Sequence, residues 1–461
     1  MKKSLIRKIL FLCIVSLPAS FNAFSQSQQL QLLAHMDSYG GYSDCWGYIA
    51  PNGDEYALLG VSNGVSIIDI TDPAAATEAD FIPWVSAPPY GWYDIKTYQN
   101  YMYVTSEGTT NLLIVDLSPL PDSASVVGQF PMFSSGPHNN FIDTDTGILY
   151  GIEDFHYNPS IRIIDIVSPE NPLELSMINT ANNGADAHDA FAQDSVLYIA
   201  EGGSPTVGFF DVSDPSNPFL IQRLTIPAAG YVHQVWVTQD NHYMVTTEET
   251  ANHTVKLWNI QDINNISLSD EYLGGSHLAH NAYLKRDYAY IAHYESGLKV
   301  VDISDPNNIV EVGYYDTYPQ GETSNFNGAW GTYPFFSSGK ILISDIQTGL
   351  YVVYFAGAAT SVDNDPKPLT SYSLGENYPN PFNPSTTISY QVSRQSDVRI
   401  EIYNTLGQKV RTLVNDRKEP GAYEAIWNGR NDGGAQAGSG VYLYRMVAAD
   451  FVQVRKMILM K

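Results

Sequence analysis

Apolar residues alternate with polar ones over short stretches along most of the chain, and turn residues follow each stretch. This period of two is typical of half-buried β-strands and predicts an all-β protein. One phrase recurs seven times: an apolar strand, a short polar gap with a glycine, and an apolar strand that ends in Asp before a Ser-Asp-Pro-like turn. The second half of the phrase lies at Val65–Pro73, Leu112–Pro119, Ile161–Pro169, Val207–Pro215, Val255–Ile260, Leu298–Pro306 and, in degenerate form, Leu350–Tyr354.

The spacing of these copies predicts the architecture. From Asp69 to Asp302 the strand-ending residues are 47, 49, 46, 48 and 43 residues apart. A period near this length, with about four short strands per copy, is typical of a β-propeller blade. The seventh copy supplies only three strands, so we expect the early segment Leu30–Met36 to provide the fourth and close the ring. The prediction is a seven-bladed β-propeller over residues 26–358.

The first residues predict export. Four basic residues among the first eight precede the apolar run Ile9–Pro18, and small and polar residues follow. This order is typical of a secretory signal peptide, here residues 1–25. The apolar run is too short to span a bilayer, and no later stretch has the roughly 20 apolar residues of a membrane helix. We therefore expect a secreted or cell-surface protein without a transmembrane segment.

Charge is distributed unevenly. The whole chain has 24 basic and 49 acidic residues, a net charge of −25. Residues 26–362 contain 8 of the basic and 39 of the acidic residues, a net charge of −31, whereas the segment from residue 363 onward is slightly basic. Such acidity excludes binding to nucleic acid through its phosphates, and the asymmetry indicates separate modules. Solubility outside the cell is the simplest interpretation of the acidity; cations, sugars and proteins are the remaining classes of partner.

The Leu/Ile-Ile-Val/Ile-Asp phrase in these copies resembles the LVIVD-repeat proteins. The order of motifs over residues 40–356 is similar to that of the choice-of-anchor B group, secreted bacterial propellers with different C-terminal anchors. The resemblance implies a propeller body at or outside the cell surface. It implies no reaction, since the group has no established activity to transfer.

A second module follows a proline-containing linker at residues 359–373. Residues 374–461 contain alternating strands at Val398–Tyr403, Tyr423–Trp427, Val441–Arg445 and Val452–Met460, which predict a small Ig-like β-sandwich. Its opening Asn377-Tyr-Pro-Asn-Pro-Phe-Asn-Pro384, together with Tyr403–Val410 and the final strand, resembles the sorting domain of the type IX secretion system. That resemblance implies the type IX machinery as a partner and anchoring at the outer membrane after export. An Ig-like domain without a sorting role is the alternative.

Four of the ten histidines recur with the blade period, just before the first strand of successive copies. The residues at this register, in order, are Asp44, Tyr93, His138, His188, His233, His280 and Asn327. The first strand of a propeller blade is innermost, so we expect these side chains to converge at one mouth of the channel. The ends of the second strands add Glu107, Glu153, Asp154, Glu201, Glu248 and His293.

Imidazoles and carboxylates that converge on one axis supply the ligands of a divalent metal such as zinc, manganese or calcium. The alternative is a structural network, in which each histidine bonds to the neighbouring blade. A metal-dependent hydrolase is a further possibility, with Glu201 or Glu248 as general base, and an adhesive scaffold that uses its rims is another. No phosphate loop, Gly-x-Ser-x-Gly turn or paired-His zinc helix is present, so no nucleotide cofactor is expected. The ligand is an unidentified extracellular molecule.

Overall fold

The computed structural model describes residues 27–83, 92–107, 109–131, 137–153, 160–180, 186–321, 323–357, 372–378, 380–392, 394–418, 421–449 and 451–460. The predicted signal peptide (1–25), Asp154 and most of the predicted linker lie outside these residues. The named elements are β-strands, apart from one 3₁₀ turn at Pro73–Ala75.

Seven antiparallel sheets of four principal strands follow one another along the chain and form the seven-bladed propeller that the repeat predicts. Two strands precede the blades: β1 (Ser27–Gln28) and β2 (Leu30–Met36). Blade 1 contains β3 (Tyr42–Ile49), β4 (Glu55–Val61), β5 (Gly64–Asp69) and β6 (Thr77–Pro83). Blade 2 contains β7 (Tyr93–Tyr98), β8 (Tyr101–Ser106), β9 (Asn111–Asp116) and β10 (Ser125–Pro131). Blade 3 contains β11 (Asn139–Asp143), β12 (Ile148–Ile152), β13 (Ile161–Asp165) and β14 (Leu173–Ile178).

The remaining blades keep the same order, with the innermost strand first. Blade 4 contains β15 (Asp189–Gln193), β16 (Val196–Ala200), β17 (Thr206–Asp211) and β18 (Phe219–Thr225). Blade 5 contains β19 (Val232–Val237), β20 (Tyr243–Glu248), β21 (Val255–Asn259) and β22 (Ser267–Tyr272). Blade 6 contains β23 (Ala282–Lys285), β24 (Tyr288–Ala292), β25 (Leu298–Asp302) and β26 (Val310–Tyr315), which β1 extends at the outer edge. Blade 7 contains β27 (Ala329–Tyr333), β28 (Lys340–Asp345) and β29 (Gly349–Phe355).

The outermost strand of blade 7 is β2, which comes from the start of the chain. It pairs antiparallel with β29, from Leu30 opposite Phe355 to Met36 opposite Leu350. Leu30 is buried in a cluster with Tyr290 and Phe355. The predicted closure of the ring by Leu30–Met36 is therefore confirmed.

The acidic residue that ends the third strand of a blade fixes the turn that follows it. A side-chain oxygen of Asp69 accepts a hydrogen bond from the main-chain N–H of Thr71, 2.8 Å away. Equivalent bonds link Asp116 to Ser118, Asp165 to Val167, Asp211 to Ser213 and Asp302 to Ser304. This carboxylate satisfies a turn N–H that the sheet leaves unpaired, which explains why the copies repeat it.

The C-terminal module is a separate β-sandwich of two sheets. Its strands are β30 (Ser373–Tyr378), β31 (Thr386–Val392), β32 (Ser396–Asn404), β33 (Lys409–Lys418), β34 (Gly421–Trp427), β35 (Gly440–Ala448) and β36 (Phe451–Leu459). Strands β30, β31 and β34 form one sheet, and β33, β32, β35 and β36 form the other. Trp427, Tyr444 and Leu459 lie in the core between them. The predicted Ig-like sandwich is confirmed.

Candidate functional site

The four periodic histidines lie side by side in an arc around one mouth of the propeller channel, with neighbouring rings tilted by 54°, 45° and 48°. The ring centroids of His138 and His188 are 4.7 Å apart, those of His188 and His233 are 4.1 Å apart, and those of His233 and His280 are 4.2 Å apart. Each histidine lies at or just before the innermost strand of its blade, so the blade period places the four side chains side by side. The structure thus brings together the four histidines that the sequence singled out.

Two tryptophans continue this arc. Trp330 of blade 7 stacks on His280 with centroids 4.0 Å apart, and Trp92 stacks on Trp330 at 4.4 Å with the planes only 7° apart. The sequence placed Asn327 at this register, but the side chain of Asn327 bonds to Glu295 instead. A β-bulge between Ala329 and Gly331 shifts the strand register and puts Trp330 in the position of the histidines.

Hydrogen bonds to the next blade orient the imidazoles. Nδ1 of His188 lies 2.9 Å from the main-chain oxygen of His233, and Nδ1 of His280 lies 2.6 Å from that of Trp330. Because a carbonyl oxygen only accepts, Nδ1 carries the proton in both rings and Nε2 carries a lone pair. Nδ1 of His138 contacts the Glu107 carboxylate at 2.6 Å, which favours the same tautomer. Nδ1 of His233 lies beside the main chain of His280 without a hydrogen bond of good geometry.

Burial keeps three of these imidazoles neutral. Burial, and then the nearby His138 ring, hold the pKa of His188 well below its ordinary value. Burial and the adjacent His188 and His280 rings do the same to the pKa of His233. Burial lowers the pKa of His280 to about 3, although the hydrogen bond to Trp330 opposes this shift. At neutral pH, His188, His233 and His280 therefore offer nitrogen lone pairs rather than positive charge.

Three histidines of the arc, His138, His188 and His233, line a depression of about 430 Å³, which we name the cup, and His280 lines a smaller adjoining cavity. The described residues that line the cup are Trp92, Glu107, His138, His188, Tyr231, His233, Glu249, Tyr294, Phe326 and Trp330. They combine aromatic rings, imidazoles and two carboxylates in one concave surface. Such a surface is typical of a small-molecule or metal site.

Glu249 makes the cup a candidate metal centre. Its carboxylate oxygens lie 4.0 Å from Nε2 of His233 and 3.8 Å from Nε2 of His280. One ligand atom from each of these three residues lies within 4.8 Å of the other two. The hydroxyl of the buried Tyr294 donates a hydrogen bond to Glu249 and so orients its carboxylate. Burial and the Glu249 charge raise the pKa of Tyr294, which keeps this hydroxyl protonated.

Several predicted acids lie away from the cup. Arg223 donates to both oxygens of Glu201, and Thr206 donates to one of them. Glu248 is buried beside Lys256 and accepts from the main-chain N–H of Gly230 at 2.6 Å. Neither carboxylate is among the described residues that line the cup, and each pairs with a cation, Arg223 or Lys256.

His293 and Glu153 are also placed elsewhere. The imidazole of His293 bonds to the Ser276 hydroxyl and to the main-chain oxygen of Leu273. Burial lowers the pKa of His293 to about 4. Glu153 is buried and is absent from the described lining of the cup.

The strand register explains which side chains reach the cup. Tyr101, Tyr243 and Tyr288 occupy equivalent positions, since each pairs with the Asp or Asn that ends the third strand of its blade. The residues six positions later are Glu107, Glu249 and Tyr294, and all three line the cup. Glu201, Glu248 and His293 come one position earlier in their blades and point to the other side of the strand. The paired Asp and Asn residues are visible in the sequence and could have fixed this register.

Asp44 lies deeper in the channel, below the histidine arc. A β-bulge between Tyr42 and Cys45 places it at the register of Asp94 rather than of the histidines. Nζ of the buried Lys96 lies 3.6 Å from the Asp44 carboxylate and bonds to Asp94. Burial and then Asp94 raise the pKa of Asp189 to about 7, and the Lys96 charge opposes the shift. These four residues form what we name the channel cluster.

We predict that Asp189→Asn stabilises the protein above neutral pH. The folded state holds the Asp189 proton more tightly than the unfolded state, so stability falls as pH rises from about 4 to about 7 and stays lower above that. At roughly 1.4 kcal/mol per pKa unit, the pKa shift of Asp189 changes the free energy of unfolding by at most about 4 kcal/mol. We expect a gain of about 2 kcal/mol at pH 8, because Asp189 is only partly buried, and no gain at pH 4. Asparagine can still accept the hydrogen bond from Ala190.

Urea unfolding at pH 4, 6 and 8 measures this difference. The exposed Asp122→Asn on blade 2 removes the same charge outside the channel and serves as control. An equal effect of both variants, or a gain that grows toward pH 4, contradicts the prediction.

Comparisons with known proteins agree with this architecture. The LVIVD repeat model matches residues 53–80, 93–123, 194–225 and 279–317, and the FlgD Ig-like domain model matches residues 381–450. No curated protein matches the chain. Among the described residues, no helix has the length and apolar character needed to cross a membrane.

Two solved propellers are similar in structure. The β-propeller domain of Cps50 (Swd1) from Myceliophteria thermophila is 10% identical, with a TM-score of 0.51, and the match covers 71% of this chain and 99% of that domain. The WD40 β-propeller domain of Doa1 is 11% identical, with a TM-score of 0.49, and the match covers 70% of this chain and 96% of that one. The first likeness supports the fold alone. The chain is a repeat β-propeller with LVIVD repeats, followed by an Ig-like domain.

Proposed function

We propose that this LVIVD-repeat propeller is an extracellular binding protein that holds one zinc ion at the edge of the cup, where His233 and Glu249 of its lining meet His280. His233, His280 and Glu249 are the proposed ligands, and the ligand-binding surface is the rest of the cup. The observation that carries the proposal is the placement of two neutral imidazole nitrogens and one carboxylate within 4.8 Å of one another.

The donor set favours zinc over calcium. Zinc takes imidazole nitrogen and carboxylate oxygen, and two histidines with one glutamate leave an open position for a ligand. Calcium takes six to eight oxygen ligands, which this side of the cup does not provide among its described residues. The two imidazoles lie 3.8 and 4.0 Å from different oxygens of Glu249, and all three ligand atoms lie within 4.8 Å of one another. A tetrahedron with bonds of about 2.1 Å needs separations of roughly 3.4 Å, so zinc would draw the three side chains closer together.

The surroundings of the three ligands support metal binding. His280 donates its Nδ1 proton to a carbonyl oxygen, and Glu249 accepts from Tyr294. Metal-binding histidines and carboxylates commonly have such outer partners, which fix the tautomer and the direction of the lone pair. Binding is favoured over hydrolysis because Glu201 and Glu248, the bases predicted for a hydrolase, have other partners.

The proposed location follows from the two ends of the sequence. Residues 1–25 resemble a secretory signal, and the C-terminal sandwich resembles the sorting domain of the type IX secretion system. We therefore place the protein outside the cell or on its surface, exported by the type IX machinery, with a propeller of the choice-of-anchor B type. The large excess of acidic residues in the propeller suits a solvent-exposed extracellular domain.

Metal analysis of the full chain tests the proposal. We expect about one zinc ion per chain after dialysis against zinc, and at least a 100-fold weaker affinity in His233→Ala, His280→Ala and Glu249→Gln, because each variant removes one ligand. Competition with a chelating dye measures the affinity, and circular dichroism confirms that the variants fold.

His242→Ala provides the matched control, because His242 is half-exposed on the hairpin between β19 and β20 and its imidazole contacts Asp240 at 2.9 Å. It should bind zinc as the native chain does. Zinc binding that survives unchanged in Glu249→Gln and His280→Ala shows that the ion is held elsewhere. Absence of zinc from the folded native chain leaves the histidines as contacts between blades.

A further inference from the structure

The cup has a second side that the proposed zinc site does not use. Around the ring, His138 of blade 3 lies two blades from His233 of blade 5, and Glu107 of blade 2 lies three blades from Glu249 of blade 5. The Glu107 side chain is 33% exposed and its carboxylate contacts His138. Trp92, at the start of the same blade as Glu107, and Trp330 also line this part of the cup. We name these four residues the tryptophan side.

Charge on this side favours a cation. Glu107 and Glu249 are the carboxylates of the described lining, and no lysine or arginine is among those lining residues. A zinc ion held by Glu249 would neutralise that carboxylate, so Glu107, partly exposed beside His138, is the carboxylate of the described lining left for a second ligand group. An anionic ligand is repelled here, whereas a cation gains a partner that is only partly screened by solvent.

The aromatic surface favours an organic cation rather than a second metal ion. Trp92 and Trp330 lie parallel with centroids 4.4 Å apart, and both are partly exposed at the cup. Phe326, 57% exposed, adds a further apolar surface at the rim. Tryptophan faces attract ammonium groups through the ring quadrupole and stack on apolar ligand bodies. An imidazole with its proton on Nδ1 adds an Nε2 acceptor for the ammonium N–H groups.

We infer that the tryptophan side of the cup binds the ammonium group of a small organic cation, with Glu107 as counter-ion and the face of Trp92 that Trp330 does not cover as the stacking surface. Trp330, packed between Trp92 and His280, supports that surface. This inference rests on the proposal that the cup is a ligand site, and it names the class of ligand. The ligand class is therefore a small organic ammonium compound with an apolar body.

Titration calorimetry with benzylammonium tests the ammonium subsite directly. We expect benzylammonium to bind the full chain at least tenfold more tightly than the neutral benzyl alcohol, and benzoate to show no binding at this side. Glu107→Gln keeps an acceptor for His138 but removes the charge, so it should weaken benzylammonium at least tenfold and leave benzyl alcohol unchanged. Trp92→Leu should weaken both.

Asp122→Asn, which removes an exposed charge from the same blade, serves as control and should bind benzylammonium as the native chain does. The titration is repeated on metal-free protein, because Glu107 is not a proposed zinc ligand and its effect should persist there. A chain that binds no zinc but shows Glu107-dependent binding of benzylammonium overturns the zinc proposal alone. Equal affinity for benzylammonium and benzyl alcohol, or no effect of Glu107→Gln, overturns the ammonium subsite.

Discussion

A chain that lacks residues 27–36 is expected to lose the folded propeller at 25 °C. Leu30 is 5% exposed, and loss of its side chain from the core costs about 2–4 kcal/mol. Removal of β2 also breaks its ladder to β29, at about 1 kcal/mol for each hydrogen bond. The total exceeds about 5 kcal/mol, which is comparable with the whole stability of many domains. Chemical unfolding followed by tryptophan fluorescence measures the loss.

Two point variants in β2 test whether the buried contact of this strand stabilises the closed ring. Both variants keep the strand, but only one of them removes a buried side chain. Leu30 packs with Phe355, whereas Leu32 in the same strand is 42% exposed. Leu30→Ala should lower the free energy of unfolding by about 2–4 kcal/mol and Leu32→Ala by less than about 0.5 kcal/mol. A truncated chain as stable as the native one, or equal effects of the two variants, would show that β2 does not hold the ring closed.

The blade architecture was predictable because each blade repeats the same local signals. Alternation places the strands, and the Asp at the end of the third strand bonds to a turn N–H in the same copy, as Asp69 and Asp211 do. The fourth strand of blade 7 was predictable for a related reason: three strands leave an edge, and only Leu30–Met36 had strand character without a blade.

The candidate site was only partly predictable, because a strand register that is wrong by one residue changes which side chains line the site. The blade period identified the four histidines, but the acids were assigned one position too early in blade 5, where Glu249 rather than Glu248 reaches the cup. Bulges shifted two further positions, so Asp44 lies in the channel and Trp330 replaces Asn327. A β-bulge adds one residue to a strand without a strong sequence signal. Because side chains alternate between the two faces of a strand, a register that is wrong by one residue assigns each side chain to the wrong face.

The sequence itself distinguishes Lys96 from the residues at the same position of the other blades. At its register the other innermost strands carry aromatic residues: Trp46, Phe141, Phe191, Trp236, Tyr283 and Tyr333. A lysine in an aromatic series, within a propeller that has only 8 basic residues, indicates a buried charge with acidic partners. Asp44 and Asp94 are those partners, and Nζ of Lys96 also lies 4.6 Å from the centroid of the Trp46 ring.

Replacement of Lys96 by methionine is expected to destabilise the protein by about 3–5 kcal/mol at pH 8, because it leaves two buried carboxylates without their cation. Burial and then the neighbouring Asp94 raise the pKa of Asp44, while Lys96 lowers it, so loss of Lys96 raises this pKa further. The variant therefore regains stability as pH falls and the carboxyl groups take up protons. Urea unfolding at pH 8 and pH 5 measures the difference, which should be smaller at pH 5.

A second substitution should rescue the variant. Asp94→Asn removes one of the two charges and can still accept the hydrogen bond from the main-chain N–H of Asn140, so Lys96→Met with Asp94→Asn should recover at least half of the loss. Lys299→Met is the control, because the Lys299 side chain is 9% exposed like that of Lys96 but its Nζ lies 3.8 Å from only the partly exposed Glu311, so its loss leaves one solvated charge and should cost less than half as much. A loss at pH 8 no larger than that of Lys299→Met, or no rescue by Asp94→Asn, contradicts an essential ion pair in the channel. A loss that is equal at pH 5 and pH 8 indicates that Lys96 acts through packing against Trp46 instead.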